Sequence, residues 1–243
     1  MNTMTSQIEE LQILVATNNS AVAMLEDGDF EPAISTFARA LNLARAIMTK
    51  TQERPQCNGL AAICFDQCMD RSRMTRIQSL EISHETETCH HKDESPAFMY
   101  KTAMKVLRSD LPPIYESHIF MSVVLVFNAA LAYQLAGDQL LQENLSNVIF
   151  VRKSIKLYRL AYNIFHEETI GASPYFCMAI VNNLGLLYQE NHCGEKADQC
   201  FQHLLSTLMF LVDCHENMES FEGYFENTAH LFFPKRNRFA AAA

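Results

Sequence analysis

Three stretches of this chain carry the same spacing of unlike side chains. An asparagine is followed at the second position by a small residue and at the fifth by a bulky one: Asn19, Ala21 and Met24; Asn128, Ala130 and Tyr133; Asn183, Gly185 and Tyr188. In the first and third stretches the frame continues without a gap to Ala33, Phe37 and Ala40, and to Ala197, Phe201 and Leu204. In the second, an insertion precedes Ser154, Tyr158 and Ala161. The small residues let two helices approach closely, and the bulky ones fill the space beside the contact. "EDGDFEPA" adds a glycine at a helix end and Pro32 in the first turn of the next helix. One such unit cannot bury its own apolar face, so the copies must stack. The repeat therefore predicts helix pairs over about 14–47, 123–167 and 178–211.

With seven glycines and seven prolines in 243 residues, the composition suits helices better than a turn-rich sheet protein. The pattern resembles the tetratricopeptide repeat (TPR), a helix–turn–helix unit of roughly 34 residues. That resemblance implies an all-α fold, an α-α superhelix of about three repeats. "CHENMESFEGYFENTAHLFF" would supply a capping helix through Met218, Phe221, Phe225 and Ala229. We expect one domain overall, with the first repeat in 1–50, an excursion in 51–113, and the remaining repeats, cap and tail in 114–243. Residues 51–95 mix charge, Ser, Thr and Pro with little periodicity, and read as a partly disordered linker with a short helix near 59–69. "PAFMYKTAMKVLRSDLPP" reads as extended, or as a small β-hairpin between repeats one and two. The excursion, "FMYKTAMKV", "VLVFNAALAYQLAGD" and the ending "RNRFAAAA" also resemble a group of uncharacterised TPR-like proteins from single-celled algae. That likeness brings no activity with it.

A formal charge of −9 argues against a nucleic-acid binder, since the only basic cluster is Lys235, Arg236 and Arg238. The first residues carry no basic region followed by an apolar run, and so do not read as a secretory signal. "SHIFMSVVLVFNAALAYQLAG" comes nearest to a membrane span, but Asn128 and Gln134 interrupt it, and a buried helix is the better reading. The eight cysteines are irregularly spaced, as reduced thiols would be. We expect a cytoplasmic or nuclear chain without a membrane partner.

Asparagine is a poor helix-interior residue, because its amide competes with the backbone for hydrogen bonds. In TPR proteins the position of Asn19, Asn128 and Asn183 faces the concave groove. An amide there can donate to and accept from the backbone of an extended peptide at once. The resemblance thus implies a peptide-binding groove of Asn19, Asn128 and Asn183, with Asn18 and Asn182 beside them. Val22, Phe127, Leu131 and Leu186 would form its apolar floor. Groove positions include no lysine or arginine, while Glu26 and Glu190 lie at its edge. An apolar or weakly basic segment suits such a groove, unless the chain's own excursion covers it. If the asparagines serve only an outside ligand, replacing them should leave stability unchanged.

Cys57, Cys64, Cys68, His84, Cys89, His90 and His91 match no standard zinc spacing and read as free thiols and solvated linker. His192, Cys193, Cys200 and His203 read as core or surface. No phosphate-cradling glycine loop, nucleophile elbow or paired-histidine zinc helix occurs, and "HEE" at 166–168 lacks a second histidine. The sequence therefore points to a non-enzymatic scaffold or adaptor for a protein or peptide partner, with no cofactor and no metal. The alternatives are a self-associating structural subunit, that is a homo-oligomer, and a metal-stabilised regulatory module.

Overall fold

The computed structural model describes residues 2–52, 97–107, 111, 114–167, 173–214 and 221–232. The fold is all-α. Helices α1 (Asn2–Glu26) and α2 (Phe30–Gln52) form the first pair. α3 (Ile114–Gln142) and α4 (Val148–Glu167) form the second, and α5 (Pro174–Glu190) and α6 (Gly194–Asp213) the third. A short α7 (Glu222–Thr228) runs into one 3-10 turn, Ala229–Leu231. The chain divides into two compact units. The first holds α1 to α4 with the extended residues from Lys101 onward; the second holds α5 to α7 with the residues up to Tyr100.

The same hydrogen-bonded turn closes all three pairs. The N–H groups of Gly28 and Asp29 return to the carbonyls of Leu25 and Met24; those of Asn144 and Leu145 return to Leu141 and Leu140. His192 and Cys193 do the same to Gln189 and Tyr188. This arrangement satisfies the last helical carbonyls and demands a left-handed residue at its bend. Gly28 takes that conformation at φ 83°, Asn144 at 58° and His192 at 56°. The inserted residues of the second pair lengthen α3 to Gln142, whereas α1 stops at Glu26 and α5 at Glu190.

Burial separates inner from outer helices in the second and third pairs and leaves a single stripe on both helices of the first. On α2 the buried residues are Ala33, Phe37, Ala40, Ala44 and Ile47; on α6 they are Ala197, Phe201, Leu204, Leu208 and Leu211. These are single stripes at helical spacing, as expected of outer helices with one wet face. α3 is buried without a break from Met121 to Ala132, and α5 from Phe176 to Tyr188. These inner helices are covered on a second side. Within the third pair, a Cβ on Gly185 would stand 2.9 Å from the Phe201 ring, so only glycine fits this crossing. In the second pair, Ser154 donates to the Ala130 carbonyl at 2.8 Å from the small-residue position. Ser117–Gln142 is long and apolar enough to cross a membrane, but most of its most apolar stretch is buried inside the protein.

Two expectations need correction. Among the described residues there is no strand, and 97–107 forms no hairpin. Its backbone bonds to side-chain amides, which take the place of a neighbouring strand. The last helix does not present the expected stripe either. Phe221, Tyr224, Asn227 and Thr228 are buried there, while Ala229 is exposed and Met218 lies outside the described residues. The linker with its short helix, at 53–95, lies outside them too.

Candidate functional site

Each unit builds one asparagine cluster, and each cluster grips two alternate residues of the extended segment 97–107. In the first unit, the Met104 N–H donates to Oδ1 of Asn128 at 2.8 Å, and Nδ2 of Asn128 donates back to the Met104 carbonyl at 2.9 Å. Val106 is held likewise by Asn19, at 3.0 Å and 2.8 Å. Asn18 joins the two. Its amide donates to the Met104 carbonyl at 2.9 Å and to Asn19 at 3.1 Å, and its Oδ1 accepts from Asn128 at 2.9 Å.

The second unit repeats this network bond for bond. Asn227 takes both backbone groups of Phe98, at 3.0 Å and 2.6 Å, and Asn183 takes both of Tyr100, at 2.9 Å and 2.8 Å. Asn182 donates to the Phe98 carbonyl at 2.9 Å and to Asn183 at 3.2 Å, while accepting from Asn227 at 2.6 Å. A side-chain amide offers an acceptor and a donor side by side, as a residue of a neighbouring strand would. Every bridging amide in the two networks has its oxygen and nitrogen engaged, which is what makes burying such a cluster tolerable. The helix-propensity cost of paired asparagines, a few tenths of a kcal/mol each, is small beside a buried backbone group left unpaired, about 1–3 kcal/mol.

From Met104 to Leu107 the side chains of the segment follow a period of two, with Ala103 buried beside them. Met104 and Val106 are 8% and 3% exposed, while Lys105 and Leu107 face out. Lys105 Nζ reaches Oε2 of Glu26 at 2.6 Å across a half-exposed surface. In the second unit Phe98 stands edge-on to Tyr224, with centroids 4.7 Å apart, and covers Gly223. A Cβ on Gly223 would fall within 2.7 Å of Phe98 Cβ and closer still to its ring. Burial pushes the Tyr100 hydroxyl up to about 12 and that of Tyr224 well above its ordinary value, so both stay neutral.

All nine groove residues expected from the sequence are placed. Asn18, Asn19 and Asn128 meet in the first unit, and Asn182 and Asn183 in the second. Val22, Leu131 and Leu186 are buried. The Phe127 ring meets Tyr158 of α4, with centroids 5.7 Å apart, and so packs inside its helix pair. Sequence reasoning missed Asn227, although its signal was present. Asn227, Ala229 and Phe232 repeat the asparagine, small, bulky spacing a fourth time, with no following helix among the described residues.

The other candidates do less. Cys57, Cys64, Cys68, His84, Cys89, His90 and His91 lie outside the described residues. Burial raises the thiols of Cys177 and Cys200 to about 11, which keeps them protonated and weakly nucleophilic. His192 occupies the turn, Cys193 is exposed, and Cys200 lies against Gly185. Cys177 Sγ and His203 Nε2 approach to 3.9 Å. In the first unit, neither ring nitrogen of the buried His118 has a hydrogen-bond partner.

Comparison with family models, curated proteins and solved structures finds no match to this chain.

Proposed function

We propose that this chain is a non-enzymatic protein-interaction scaffold of TPR-like helix pairs, whose inner-helix asparagines line a groove that binds extended polypeptide. The observation that carries the reading is the two-point grip of Asn19 on Val106 and of Asn128 on Met104. Its counterpart is the grip of Asn183 on Tyr100 and of Asn227 on Phe98. These bonds use only main-chain atoms of the bound segment, so they suit any segment that adopts the same extended form. The shared register of the helix pairs, with one asparagine at the same place in each, supports the TPR-like reading.

The test is direct. A labelled peptide of sequence 97–107 is titrated into the full chain and into the Asn19→Ala/Asn128→Ala variant. Saturable binding that the double variant loses supports the groove; equal binding by a still-helical variant overturns it.

One observation favours a second reading, a self-associating subunit. Leu141, Leu145, Val148 and Ile149 are each at least 50% exposed around the lengthened α3–α4 turn. Clustered exposed apolar residues mark interaction surfaces. Light scattering across a concentration series, with Leu141→Lys/Ile149→Lys as control, tests it. A mass that stays monomeric at every concentration removes this reading.

A further inference from the structure

We propose that residues 97–107 are an internal competitor for the groove, standing where an outside partner presents an extended apolar–basic–apolar triplet in place of Met104, Lys105 and Val106. The proposal rests on the groove reading above and adds what the groove selects and what opposes it.

Three observations carry it. The amides of Asn18, Asn19 and Asn128 hold Met104 and Val106 by main-chain groups alone, and an incoming extended segment offers the same groups. Nothing in those bonds favours this chain's own residues over another's. Side-chain surroundings then supply the selection. Met104 and Val106 are buried, so their places take apolar side chains and penalise charged ones. Lys105 points out of the groove to Glu26, so the middle place favours a cation. Finally, the segment belongs to neither a helix nor a strand, while the inner helices beneath it run through the unit's core. Releasing it disrupts no helix pair.

The tether sets how strongly the segment competes. It rejoins the fold at Ile114, a few residues beyond Leu107. A tether this short gives an effective concentration on the order of millimolar. An outside peptide of identical sequence therefore binds far more weakly to the intact chain than to a groove whose own segment is disabled. A natural partner must do better than this copy, through its side chains or through a second contact.

Fluorescence anisotropy with a labelled synthetic peptide of residues 97–107 tests this. The peptide is titrated into the wild-type chain and into the Met104→Asp/Val106→Asp variant. That variant ejects its own segment but keeps every asparagine. Binding to the variant should be at least about tenfold tighter than to the wild type. A Lys105→Glu change in the peptide should weaken it by up to about fivefold, the range of an exposed ion pair. Equal binding to both proteins, abolished by Asn19→Ala/Asn128→Ala, overturns the competition and leaves the groove reading standing. A helical variant that takes up no peptide overturns the groove reading itself.

Hydrogen exchange of the wild type needs no variant to fold. Excess peptide should speed exchange at the Met104 and Val106 amides; exchange that tracks global unfolding with or without peptide overturns the proposal. Sedimentation gives the remaining outcome. A concentration-dependent dimer that disappears when the 97–107 peptide is added makes a second copy the occupant, and overturns the partner assignment.

Discussion

The two asparagine clusters use the same bonds on different foundations. In the first unit the residue that grips Met104 stands on α3, a helix of 29 residues buried along most of its length. In the second unit the equivalent Asn227 stands on α7, which has 7 residues and no following helix among the described residues. The first cluster holds aliphatic side chains that are nearly inaccessible; the second holds Phe98 and Tyr100, which are half-buried. Main-chain recognition is thus separable from both the stiffness beneath it and the side chains it presents. Both clusters should open at lower free energy than global unfolding, and the second more readily than the first.

Removing the matching asparagines makes the largest break in that comparison. Asn128→Ala strands the Met104 N–H and the Asn18 oxygen in a buried site. We expect a loss of about 2–4 kcal/mol in urea denaturation. Asn227→Ala strands the part-buried Phe98 N–H and the buried Asn182 oxygen on a short helix that opens more readily, and should cost less, about 1 kcal/mol. Equal losses would show that the short helix is no weaker a support. A loss at Asn128 differs from the sequence-based expectation that Asn19, Asn128 and Asn183 are silent for stability when they serve only an outside ligand. That expectation assumed a groove open to an outside ligand, and the chain fills it.

Gly223→Ala breaks the second cluster alone. Its Cβ would meet the base of the Phe98 side chain rather than a flexible end. Phe98 must therefore leave its seat, at about 1–3 kcal/mol, partly offset by the better helix propensity of alanine, about 1 kcal/mol. In hydrogen exchange the Phe98 and Tyr100 amides should lose protection while those of Met104 and Val106 keep theirs. Loss at all four would mean that the segment is released as one piece.

Much of this was legible in the spacing of a few residue types. Asn19, Asn128 and Asn183, with their small and bulky companions, marked the inner helices and the residues that meet an extended backbone. The repeat also located Gly28 at a helix end and the close approach at Gly185. The ligand was not legible, because an amide that binds main chain leaves no trace in the sequence of what it binds. The alternation in "FMYKTAMKV" looked like a hairpin for a related reason. Period-two burial reports an extended backbone, and is silent on whether strands or amides satisfy it. Asn227 escaped notice because the full set of small and bulky residues of a second helix, which made the other repeats recognisable, does not follow it in the frame. Phe127 was placed on the groove floor by frame alone, and frame does not resolve which way a fully buried residue on an inner helix points.

His118 sharpens the contrast from the side of pH. Burial lowers its pKa from 6.5, with Glu10 partly opposing, so the native state resists a proton that the unfolded chain accepts. Its penalty appears as pH falls through 6.5, and stability drops there. Asp138 in the same unit acts in the opposite sense. Burial raises it from 3.8 to about 6, Lys101 partly opposing, so its native form gains relative to the unfolded chain as pH falls from 6. His118→Leu should remove the first effect and leave the second, turning an acid-side loss into a gain between pH 6 and 4. Removal of an unpartnered buried ring should also stabilise at neutral pH, by about 1–2 kcal/mol. An unchanged pH profile would place the acid sensitivity elsewhere.

The turns compare the units at about 1 kcal/mol. His192 holds a left-handed conformation that costs a side-chain-bearing residue, so His192→Gly should stabilise the second unit by about 1 kcal/mol. Asn144→Gly should gain less, since asparagine tolerates this region. Gly28→Ala should lose about 1 kcal/mol. Thermal melts of the three variants give the order directly.

The smallest effect tests whether the clusters share a register beyond their asparagines. In the repeat frame Glu190 stands where Glu26 does, and Met99 stands between Phe98 and Tyr100 as Lys105 stands between Met104 and Val106. The Lys105–Glu26 pair is half-exposed, so Lys105→Ala should cost at most about 0.5 kcal/mol and less in high salt. Met99→Lys should place a cation near Glu190 and gain a similar, salt-sensitive amount. A double-mutant cycle of Met99→Lys with Glu190→Gln isolates the pair from that burial. A coupling energy matching that of Lys105 with Glu26 would make the two clusters equivalent down to their rim. A coupling of zero would confine the likeness to the amides, and would make the basic place a property of the first unit alone.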